Sequence, residues 1–440
     1  MKIGVVGTGY VGLVQGIILA EFGQQVICMD VEKDKIDLLN KGIVPIYEPG
    51  LKAIMDRNVE AGRLTFMTDM EYTVQNCDVI FIAVGTPPKE DGSADLTYVI
   101  DVAKNIGKFV NSYKVVVNKS TVPIGTGQLV KETIQSIFNV RNKEYSFDIV
   151  SNPEFLREGK AVSDCLSPDR VIIGSESERA AEIMKQVYKV LYQNDTPFVF
   201  TDIQTAEMIK YAANSFLAVK ISFINEMALL AEKVDANVQK IALAMGMDER
   251  ISPKFLQAGP GYGGSCFPKD TNDIVEIAKK YGEELKVIQG AIDANKKQKL
   301  RMVEKMMKSM NGMKGKTIAI LGLSFKPETD DCRDAPSIDI IKGLCDKGAS
   351  IKAYCPQGMK EAQWRLAEFA QSITYCEDEY EAIENVDAAV FVTEWHQFRE
   401  ISLTKMKSLM KDHYIFDLRN LHANNKVVRQ LYKYYPVGRR

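Results

Sequence analysis

Histidine is scarce in this sequence of 440 residues, which contains only three, at positions 396, 413 and 422. A histidine-centred catalytic triad upstream of these positions is therefore excluded. An excess of either charge is also lacking, because 56 basic side chains face 58 acidic ones and the formal net charge is −2. This balance gives no electrostatic reason to expect a nucleic acid partner, and we find no basic stripe that would change it.

Closely spaced cysteines are absent as well. The eight cysteines lie scattered, without a Cys-x-x-Cys pair, at positions 28, 77, 165, 266, 332, 345, 355 and 376. The usual zinc-binding spacings are therefore excluded, and we expect no metal site. The same scatter suits a reducing compartment better than a disulfide framework, which favours a cytoplasmic protein.

No segment is long and apolar enough to predict a membrane-spanning helix. The apolar run at residues 3–20 is similar in composition to a signal peptide, but its glycines form an ordered array and no small-residue cleavage site precedes Glu21. We therefore expect neither an N-terminal targeting segment nor a membrane partner.

Short runs rich in valine and isoleucine alternate with helical stretches in the first part of the chain. Near-continuous apolar runs of this kind predict a parallel sheet covered on both faces. The predicted strands cover residues 2–7, 25–30, 78–85, 114–120, 147–152 and 170–174. The length of the chain predicts two or three domains.

A long segment without glycine or proline, residues 202–236, predicts one helix, followed by more helix up to Gly246. A helix of this length usually bridges domains or packs against a partner chain. Residues 271–311 are again helical in pattern, and a second α/β alternation opens with 314–325. Its further strands are predicted at 350–356, 387–393 and 414–420. The predicted fold class is therefore α/β, with a helical spine between two α/β regions.

The sequence GTGYVG, residues 7–12, follows a predicted strand and opens a predicted helix. Gly7 permits the tight turn, Gly9 lets the backbone approach a pyrophosphate, and Gly12 lets the helix and the strand pack closely. The next strand ends at Asp30, whose carboxylate can accept hydrogen bonds from both ribose hydroxyls and would repel a 2′-phosphate. The pattern predicts an NAD site rather than an ordinary turn and strand end.

Two further segments, residues 84–88 and 120–123, follow the third and fourth predicted strands. Ligands bind at this edge of a parallel sheet, so we favour ligand contact over plain turn chemistry.

Cys266 stands in the glycine-rich stretch GPGYGGSCFPKD. A structural cysteine usually lies among apolar side chains, as we expect for Cys28. Cys266 instead follows Gly263, Gly264 and Ser265, whose backbone amides are not shielded by large side chains and can approach a ligand. A helix predicted to begin near Asp270, together with Lys269, favours the thiolate. In an NAD enzyme such a thiolate can add to an aldehyde, and the adduct can lose a hydride to become a thioester. The sequence DTND at 270–273 is also typical of a helix cap, and Asp270 could both cap the helix and face the site.

Two pairs of polar residues are spaced four apart. Lys210 and Asn214 share one face of the long predicted helix. A cation and an amide directed to one point there would stabilise an oxyanion. The alternative is that Lys210 lies at the edge of an apolar stripe and extends its ammonium group into water. Glu154 and Glu158 follow a predicted strand in SNPEFLREG and could orient water or a ribose. A surface turn with Arg157 as the partner is the open alternative.

These motifs occur together with YEPGL (47–51), KSTVP (119–123), EMIKYAANSFLA (207–218), GGSCFPKD (263–270) and FKPETDDCRDAPS (325–337). In this order they resemble the nucleotide-sugar 6-dehydrogenases, and most closely the branch that oxidises UDP-glucose. The resemblance runs from residue 1 to about residue 420 and rests on several independent motifs.

The resemblance implies two Rossmann-like doubly wound domains joined by a long central helix and a helical dimerisation region. The implied domains are NAD-binding at 1–200, central at 201–311 and UDP-sugar-binding at 312–440, in a homodimer. It also implies oxidation of UDP-glucose to UDP-glucuronate, with two NAD and one water, for polysaccharide precursors.

The resemblance implies a role for each of several residues. Cys266 would form a thiohemiacetal and then a thioester. Lys210 and Asn214 would steady the oxyanion, and Asp270 would handle water or proton transfer. Glu154 would act as acid and base, with Thr121 supporting a bound water. The implied cofactor contacts are Gly7, Gly9, Tyr10, Val11, Gly12, Asp30, Lys35, Thr86, Thr121, Glu158, Lys269 and Arg333.

Substrate contacts are implied in the same way, and Arg250 matches an arginine that reaches across the dimer into the partner's site. The implied contacts are Glu154, Phe155, Leu156, Lys210, Asn214, Arg250, Phe255, Leu256, Gly259, Tyr262, Gly263, Lys326 and Arg419. One departure is Leu418 in FDLRN, where the family usually has glycine. Leu418 must avoid a positive φ or accept strain, which puts the backbone at Arg419 in question.

Three other functions stay open on the sequence. The first is oxidation of another nucleotide sugar, a UDP-N-acetylhexosamine or GDP-mannose. The second is a non-catalytic NAD-binding scaffold, which the joint presence of Cys266, Lys210, Asn214, Asp270 and Glu154 disfavours. The third is a single-step hydroxy-acid dehydrogenase, which would yield one NADH per substrate and would not need Cys266.

Overall fold

The computed structural model describes residues 1–142 and 145–439. The chain divides into two compact units. The first comprises Met1–Ala213 with Glu276–Gly282, and the second comprises Asn214–Val275 with the chain from Glu283 onward.

The first unit is built on a sheet of eight strands. They are β1 (Lys2–Val6), β2 (Gln25–Met29), β3 (Leu64–Met67), β4 (Val79–Ile82), β5 (Lys114–Asn118), β6 (Phe147–Ser151), β7 (Val171–Ser175) and β8 (Phe198–Thr201). Their order across the sheet is β3-β2-β1-β4-β5-β6-β7-β8. The connecting helices are α1 (Tyr10–Glu21), α2 (Lys33–Asn40), α3 (Leu51–Glu60), α4 (Met70–Asn76), α5 (Thr97–Phe109), α6 (Thr126–Arg141), α7 (Ala161–Leu166), α8 (Glu178–Val187) and α9 (Lys189–Gln193).

Alternation along the central strands explains their continuous apolar sequence. Val79 and Phe81 of β4 pack into one buried cluster, and Ile80 and Ile82 pack into another. Since successive side chains of a strand point to opposite faces, both faces of this sheet are covered.

One direction in this sheet differs from the prediction. The pairs from β3 to β6 are parallel, but β7 is antiparallel to β6 and parallel to β8. The prediction of an entirely parallel sheet was therefore wrong at β6–β7. The apolar content of a strand reports its burial and not its direction.

Four helices follow in the chain: α10 (Ile203–Lys233), α11 (Val238–Gly246), α12 (Phe267–Lys280) and α13 (Lys286–Met310). The long helix predicted at 202–236 corresponds to α10, which has 31 residues. Helix α12 begins three residues before the predicted start at Asp270, directly after Cys266.

The second unit contains a parallel sheet of six strands, in the order β11-β10-β9-β12-β13-β14. The strands are β9 (Thr317–Leu321), β10 (Ser350–Tyr354), β11 (Ile373–Tyr375), β12 (Ala388–Phe391), β13 (Tyr414–Asp417) and β14 (Lys433–Pro436). Its further helices are α14 (Pro336–Asp346), α15 (Met359–Arg365), α16 (Glu379–Ile383), α17 (His396–Arg399), α18 (Leu403–Leu409) and α19 (Lys426–Leu431), with a 3₁₀ turn at Ala367–Ser372.

Each sheet reverses its strand order at one point, between β1 and β4 in the first unit and between β9 and β12 in the second. In doubly wound folds ligands bind at such points, outside the carboxyl ends of the strands. The predicted α/β class, with two Rossmann-like sheets and a helical region between them along the chain, is confirmed. Within the described residues, no helix combines the length and the apolar character needed to cross a bilayer.

Candidate active site

The glycines after β1 shape the turn that the sequence predicted for a pyrophosphate. A Cβ atom on Gly12 would lie 2.0 Å from the Gly7 carbonyl oxygen, so the first turn of α1 needs glycine there. Gly7 has a φ of 100°, whereas a Cβ on Gly9 would meet nothing within 4 Å. Helix α1 has no side-chain cap and no acid in its first turn, so its amides suit the phosphates of NAD.

Asp30, the residue after β2, is buried, and hydrogen bonds from neighbouring residues fix the orientation of its carboxylate. It accepts hydrogen bonds from Thr8 N at 2.7 Å and Thr8 Oγ1 at 2.8 Å, and from Glu32 N at 3.0 Å. Burial acts to raise the pKa of Asp30, but these bonds and the Lys35 charge outweigh it and hold the pKa below its ordinary value. The carboxylate is therefore ionised and fits a ribose hydroxyl pair.

The segments after β4 and β5 are tied together. Thr86 donates its hydroxyl to the Thr121 carbonyl oxygen at 2.9 Å, and Ser120 donates to the Val84 carbonyl oxygen at 2.6 Å. Because both segments leave the sheet next to its reversal point, the structure brings Thr86 and Thr121 to the edge where a cofactor binds.

Glu154 and Lys210 form a buried ion pair. The Lys210 Nζ atom donates to Glu154 Oε1 at 2.8 Å and to the Glu154 carbonyl oxygen at 2.6 Å. Burial acts to raise the pKa of Glu154, but the Lys210 charge and hydrogen bond, helped by Leu156 N, lower it overall. The alternatives of a surface turn for Glu154 and an extended exposed charge for Lys210 are both wrong, and Arg157 pairs with Asp164 instead.

A second buried lysine, Lys119, belongs to the KSTVP motif but was not singled out from the sequence. Its Nζ atom donates to Asn152 Oδ1 at 3.1 Å, and Tyr188 donates to the same oxygen at 2.7 Å. Burial lowers the pKa of Lys119 to about 8, and the nearby Lys210 charge acts in the same direction. Nothing in the sequence indicates that Lys119 is buried, because its partner Asn152 follows a different strand, β6, and is distant in the chain.

The Phe155 ring lies close to two cations of the first unit. The Arg170 guanidinium is 3.8 Å from the centre of its ring, and Lys210 Nζ is 5.3 Å away. Leu156 and Glu158 follow in the same loop, and both are half-buried. The structure therefore groups four predicted site residues in one short loop after β6.

Cys266 lies in the second unit, half-buried and immediately before α12. Its sulfur is 3.5 Å from Ser265 Oγ. Cys28, Cys77 and Cys165 are buried instead, and burial raises the pKa of their thiols to about 12. The predicted contrast between Cys266 and the buried structural Cys28 is confirmed.

Asp270 is in the first turn of α12, rather than at its cap. Its Oδ2 atom accepts a hydrogen bond from Asn214 Nδ2 at 2.6 Å, and its Oδ1 atom pairs with Lys269 Nζ at 2.7 Å. Asn214 and Asp270 are both buried, whereas Lys269 is partly exposed. The explanation of Asp270 as a helix cap is therefore wrong, and its carboxylate is instead oriented by an amide and a cation.

Three buried amide side chains hold the loop before Cys266. Asn225 Oδ1 accepts from Gly259 N at 2.8 Å, and Gln298 Nε2 donates to the Gly259 carbonyl oxygen at 2.8 Å. Asn295 exchanges two hydrogen bonds with the Tyr262 backbone, at 2.8 and 3.0 Å. These residues were missed, because an asparagine or glutamine inside a helix carries no signal of its distant partner.

The glycines of this loop are required by the protein itself. A Cβ atom on Gly263 would lie 2.3 Å from the Asp334 carbonyl oxygen, and one on Gly264 would lie 2.8 Å from the Phe325 ring. Gly264 N donates to the Arg333 carbonyl oxygen at 2.7 Å. Glycine at 263 and 264 is thus explained by close packing against residues 325–334, whereas the sequence suggested room for a ligand.

Lys326 and Arg419 are placed at the reversal point of the second sheet. Arg419 Nε donates to the Val392 carbonyl oxygen at 2.9 Å and pairs with Glu394 at 3.0 Å. Leu418 is fully buried and has no positive φ, so of the two alternatives it avoids the strain. The positive φ of this segment lies at Asn420 instead, at 56°. Lys326 is half-buried beside the Phe325 ring, at 5.3 Å.

The other predicted residues of the second unit are more dispersed. Arg250 is exposed and pairs with Asp248, and Arg333 pairs with Asp331 at 2.9 Å. Phe255 has a φ of 64°, and Leu256 is buried. The hydrogen bonds that the structure shows for the Arg250 side chain go to Asp248 and not to Asn214, Lys269 or Asp270.

Three family models match the chain in succession. Residues 1–192 match the NAD binding domain of the UDP-glucose/GDP-mannose dehydrogenase family, residues 204–297 match its central domain, and residues 319–424 match its UDP binding domain.

Relatives match over the whole chain. UDP-glucose 6-dehydrogenase TuaD of Bacillus subtilis (strain 168) is 48% identical over 438 residues, covering 100% of this chain and 93% of the relative. UDP-glucose 6-dehydrogenase of Rhizobium meliloti (strain 1021) is 45% identical, with 100% of both covered. Among solved structures, a UDP-glucose dehydrogenase from Pyrobaculum islandicum matches with a TM-score of 0.92 at 35% identity, covering 100% of this chain and 98% of that one.

The cofactor turn, the oriented Asp30 and the NAD binding domain together define an NAD-dependent oxidoreductase. The chain belongs to the UDP-glucose/GDP-mannose dehydrogenase family, and both the predicted resemblance and the predicted cofactor are confirmed.

Proposed function

We propose that this protein is a UDP-glucose 6-dehydrogenase, which oxidises the C6 alcohol of UDP-glucose to the carboxylate of UDP-glucuronate. The observation that carries the choice of sugar is the full-length identity of 48% and 45% to two relatives with that name. The proposed product is a precursor for polysaccharide synthesis.

The first proposed step removes a hydride from C6 and a proton from its hydroxyl group, which leaves an aldehyde. Bound NAD supplies the hydride acceptor, and the four-electron oxidation needs two molecules of it. Glu154 and Thr121 are proposed to handle the proton through a bound water. The buried ion pair with Lys210 supports this role, because it keeps the Glu154 carboxylate ionised.

Cys266 is proposed to hold the aldehyde. Its thiolate forms a bond to C6, and the aldehyde oxygen takes a proton to give a thiohemiacetal. Loss of the second hydride from C6 and of the hydroxyl proton leaves a thioester. The position of Cys266 supports this role, since a thiol that directly precedes a helix is favoured as the thiolate.

Water is then proposed to add to the thioester carbon, and the C–S bond breaks to release the carboxylate and restore the thiol. Asn214 and Lys210 would stabilise the oxyanion, and Asp270 would accept the proton of the water. The hydrogen bond from Asn214 to Asp270 supports this assignment, because it orients both groups.

The test is the yield of NADH per UDP-glucose and its dependence on Cys266. We expect two NADH per sugar, and we expect Cys266→Ala to abolish formation of the acid while the variant still binds NAD. Cys165→Ala is the matched control, because this thiol is buried and its pKa is raised to about 12. One NADH per sugar, or full activity of Cys266→Ala, would overturn the mechanism.

A panel of sugars tests the choice of substrate. UDP-N-acetylhexosamine and GDP-mannose are the rival substrates, and turnover of either one without turnover of UDP-glucose would contradict the proposal. The homodimer, the cytoplasmic location and the division of the chain near residues 200 and 311 also remain predictions.

A further inference from the structure

The YEPGL motif at residues 47–51 has no role in the proposed chemistry, yet it is firmly built. Leu51 is fully buried in the core of the first unit, and Gly50 has a left-handed φ of 81° that favours glycine. Glu48, two residues before Gly50 in the chain, has a buried side chain. A buried carboxylate needs partners, and these partners identify its role.

Glu48 joins three separate parts of the first unit. Its Oε2 atom accepts hydrogen bonds from the Tyr10 hydroxyl group and, at 2.7 Å, from Gly159 N. Its Oε1 atom accepts from Val162 N, in the first turn of α7, at 3.2 Å. Gly159 N also donates to the Tyr10 oxygen at 2.9 Å, so the three groups form a closed arrangement.

Tyr10 remains a donor in this arrangement. Burial and the hydrogen bond to Glu48 both raise the pKa of its hydroxyl group, and the nearby Glu158 charge adds to this. Tyr10 is also the first residue of α1, next to the open Gly9 turn. Glu48 is therefore connected directly to the turn that receives the cofactor phosphates.

The loop between Glu154 and Gly159 is held at both ends by buried side chains. Lys210 binds the carbonyl and carboxylate oxygens of Glu154 at one end. Glu48 binds the Gly159 amide at the other end, directly beside Glu158. Loss of either anchor would release one end of the loop while the other end stays fixed.

We propose that Glu48 is a positioning residue of the cofactor site, which fixes Glu158 and the Gly159 end of this loop against Tyr10 and the first turn of α1. It touches neither substrate nor cofactor, and it acts through Tyr10, Glu158 and the loop backbone. This inference rests on the proposed cofactor role of Glu158, but it does not depend on which sugar is oxidised.

The proposal predicts a selective loss of cofactor affinity. In Glu48→Gln the side chain keeps its size but loses its charge and one acceptor, so the Gly159 end of the loop should loosen. We expect the Kd for NAD, measured by calorimetry without sugar, to rise about tenfold or more, since hydrogen bonds to a charged group are among the strong ones. We expect kcat at saturating NAD and the KM for UDP-glucose to change by less than about threefold.

Asp148 offers a matched control in the same unit. It also accepts a hydrogen bond from a tyrosine, Tyr113, at 2.6 Å, but it lies near the start of β6, whereas the candidate site lies beyond the end of that strand. Asp148→Asn should lower thermal stability without changing the Kd for NAD. A double-mutant cycle of Tyr10→Phe and Glu48→Gln should be non-additive, because both act through one contact.

Several outcomes would overturn the proposal. An unchanged Kd for NAD in folded Glu48→Gln would do so, as would equal losses of NAD and UDP-glucose affinity. If Glu48→Gln does not fold, Glu48→Asp is measured instead, since its shorter carboxylate cannot hold all three partners. If neither variant folds, Glu48 is a structural residue and the proposal fails. Absence of UDP-glucose turnover in the unmodified protein, with the NAD result intact, would instead contradict the proposed function alone.

Discussion

Charged side chains at the candidate site are buried in pairs. Glu154 and Lys210 are both almost inaccessible, and the Lys210 charge is the largest of the charges that lower the pKa of Glu154. Removing one member of such a pair is costly, because the remaining charge stays buried without compensation. The two residues should therefore behave as a unit in stability, although each has its own proposed role in the chemistry.

We predict that Lys210→Met destabilises the protein by about 3–5 kcal/mol, because Glu154 loses its hydrogen-bonded counter-charge in a buried place and keeps the more weakly acting Lys119 charge. In the double variant Glu154→Gln/Lys210→Met most of this stability should return, while turnover stays at least about 100-fold below that of the unmodified protein. Urea unfolding and steady-state NADH formation measure the two quantities.

The exposed pair of Lys52 and Asp56 serves as the control, since Lys52→Met should change stability by less than about 1 kcal/mol. If Lys210→Met is as stable as the unmodified protein, the pair is not the coupled unit that its burial indicates.

Single residues were predictable where local chemistry marks them. Cys266 follows a glycine-rich stretch, and Asp30 stands at the end of a strand pattern. Both residues could be selected as site residues from the few positions around them. Asn225, Asn295 and Gln298 were not predictable, because the groups they bind are distant in the chain and their own neighbours look ordinary. Glu48 belongs to the YEPGL motif, but the motif does not show that its partners are Tyr10 and Gly159. Their identity depends on tertiary contacts that no local pattern encodes.

At the scale of elements, one carboxylate connects α10 to the start of α6. Glu207 accepts hydrogen bonds from Gly125 N at 2.6 Å and from Gly127 N at 2.7 Å, and it is buried. Gly127 leaves little room, since a Cβ atom there would lie 2.5 Å from Ile203. The start of α6 is thus fitted closely onto α10, which also carries Lys210.

Glu207 predicts a pH dependence of stability. Burial outweighs the two amide hydrogen bonds and raises its pKa from 4.5 to about 7. A raised pKa in the folded state means that the stability from this group is complete below the ordinary pKa and is lost as the pH rises through about 7. Between these pH values the unmodified protein should lose up to about 3 kcal/mol relative to Glu207→Gln.

Urea unfolding of both proteins at pH values from about 5 to about 8 measures this difference. Asp69→Asn is the control, because Asp69 is an exposed cap of α4 and the same comparison should give a constant difference. A constant difference for Glu207→Gln as well would show that the two amides and the helix start keep Glu207 ionised throughout.

Strands were predictable to the extent that they are central. The runs at β1, β4 and β5 are almost entirely buried, so their sequences are continuously apolar. Strands β3 and β8 lie at the two edges of the first sheet, and each exposes part of its short sequence. Their patterns are too short and mixed to be told from loops, and they were missed.

At the scale of the whole molecule, α10 presents an apolar stripe to solvent. Phe216, Phe223 and Leu230 are 65%, 41% and 55% exposed, and they follow one another at intervals of seven residues, which keeps them on one side of the helix. Exposed apolar stripes of this kind mark interaction sites. The stripe supports the proposed homodimer, with a second copy of this chain as the partner.

We predict that Phe223→Glu converts the protein to a monomer, because dimerisation would then bury an unpaired charge. The dimer dissociation constant should rise at least about 100-fold, which corresponds to about 3 kcal/mol. Light scattering coupled to size exclusion measures the change. Trp364→Glu is the control, since Trp364 is 72% exposed on α15, and it should leave the assembly unchanged.

Arg250 connects this assembly to activity. Its side chain is exposed, and the ion pair that the structure shows for it is a local one with Asp248, which suits a residue whose target lies on another chain. We predict that Arg250→Ala and Cys266→Ala are each inactive alone, but that mixing them after dissociation and reassociation restores activity. Half of the randomly mixed dimers then carry one complete site of two, so about a quarter of the original activity should return. If Arg250 instead serves the site of its own chain, every mixed dimer contains two incomplete sites and no activity returns. The rate of NADH formation after mixing therefore decides between the two arrangements.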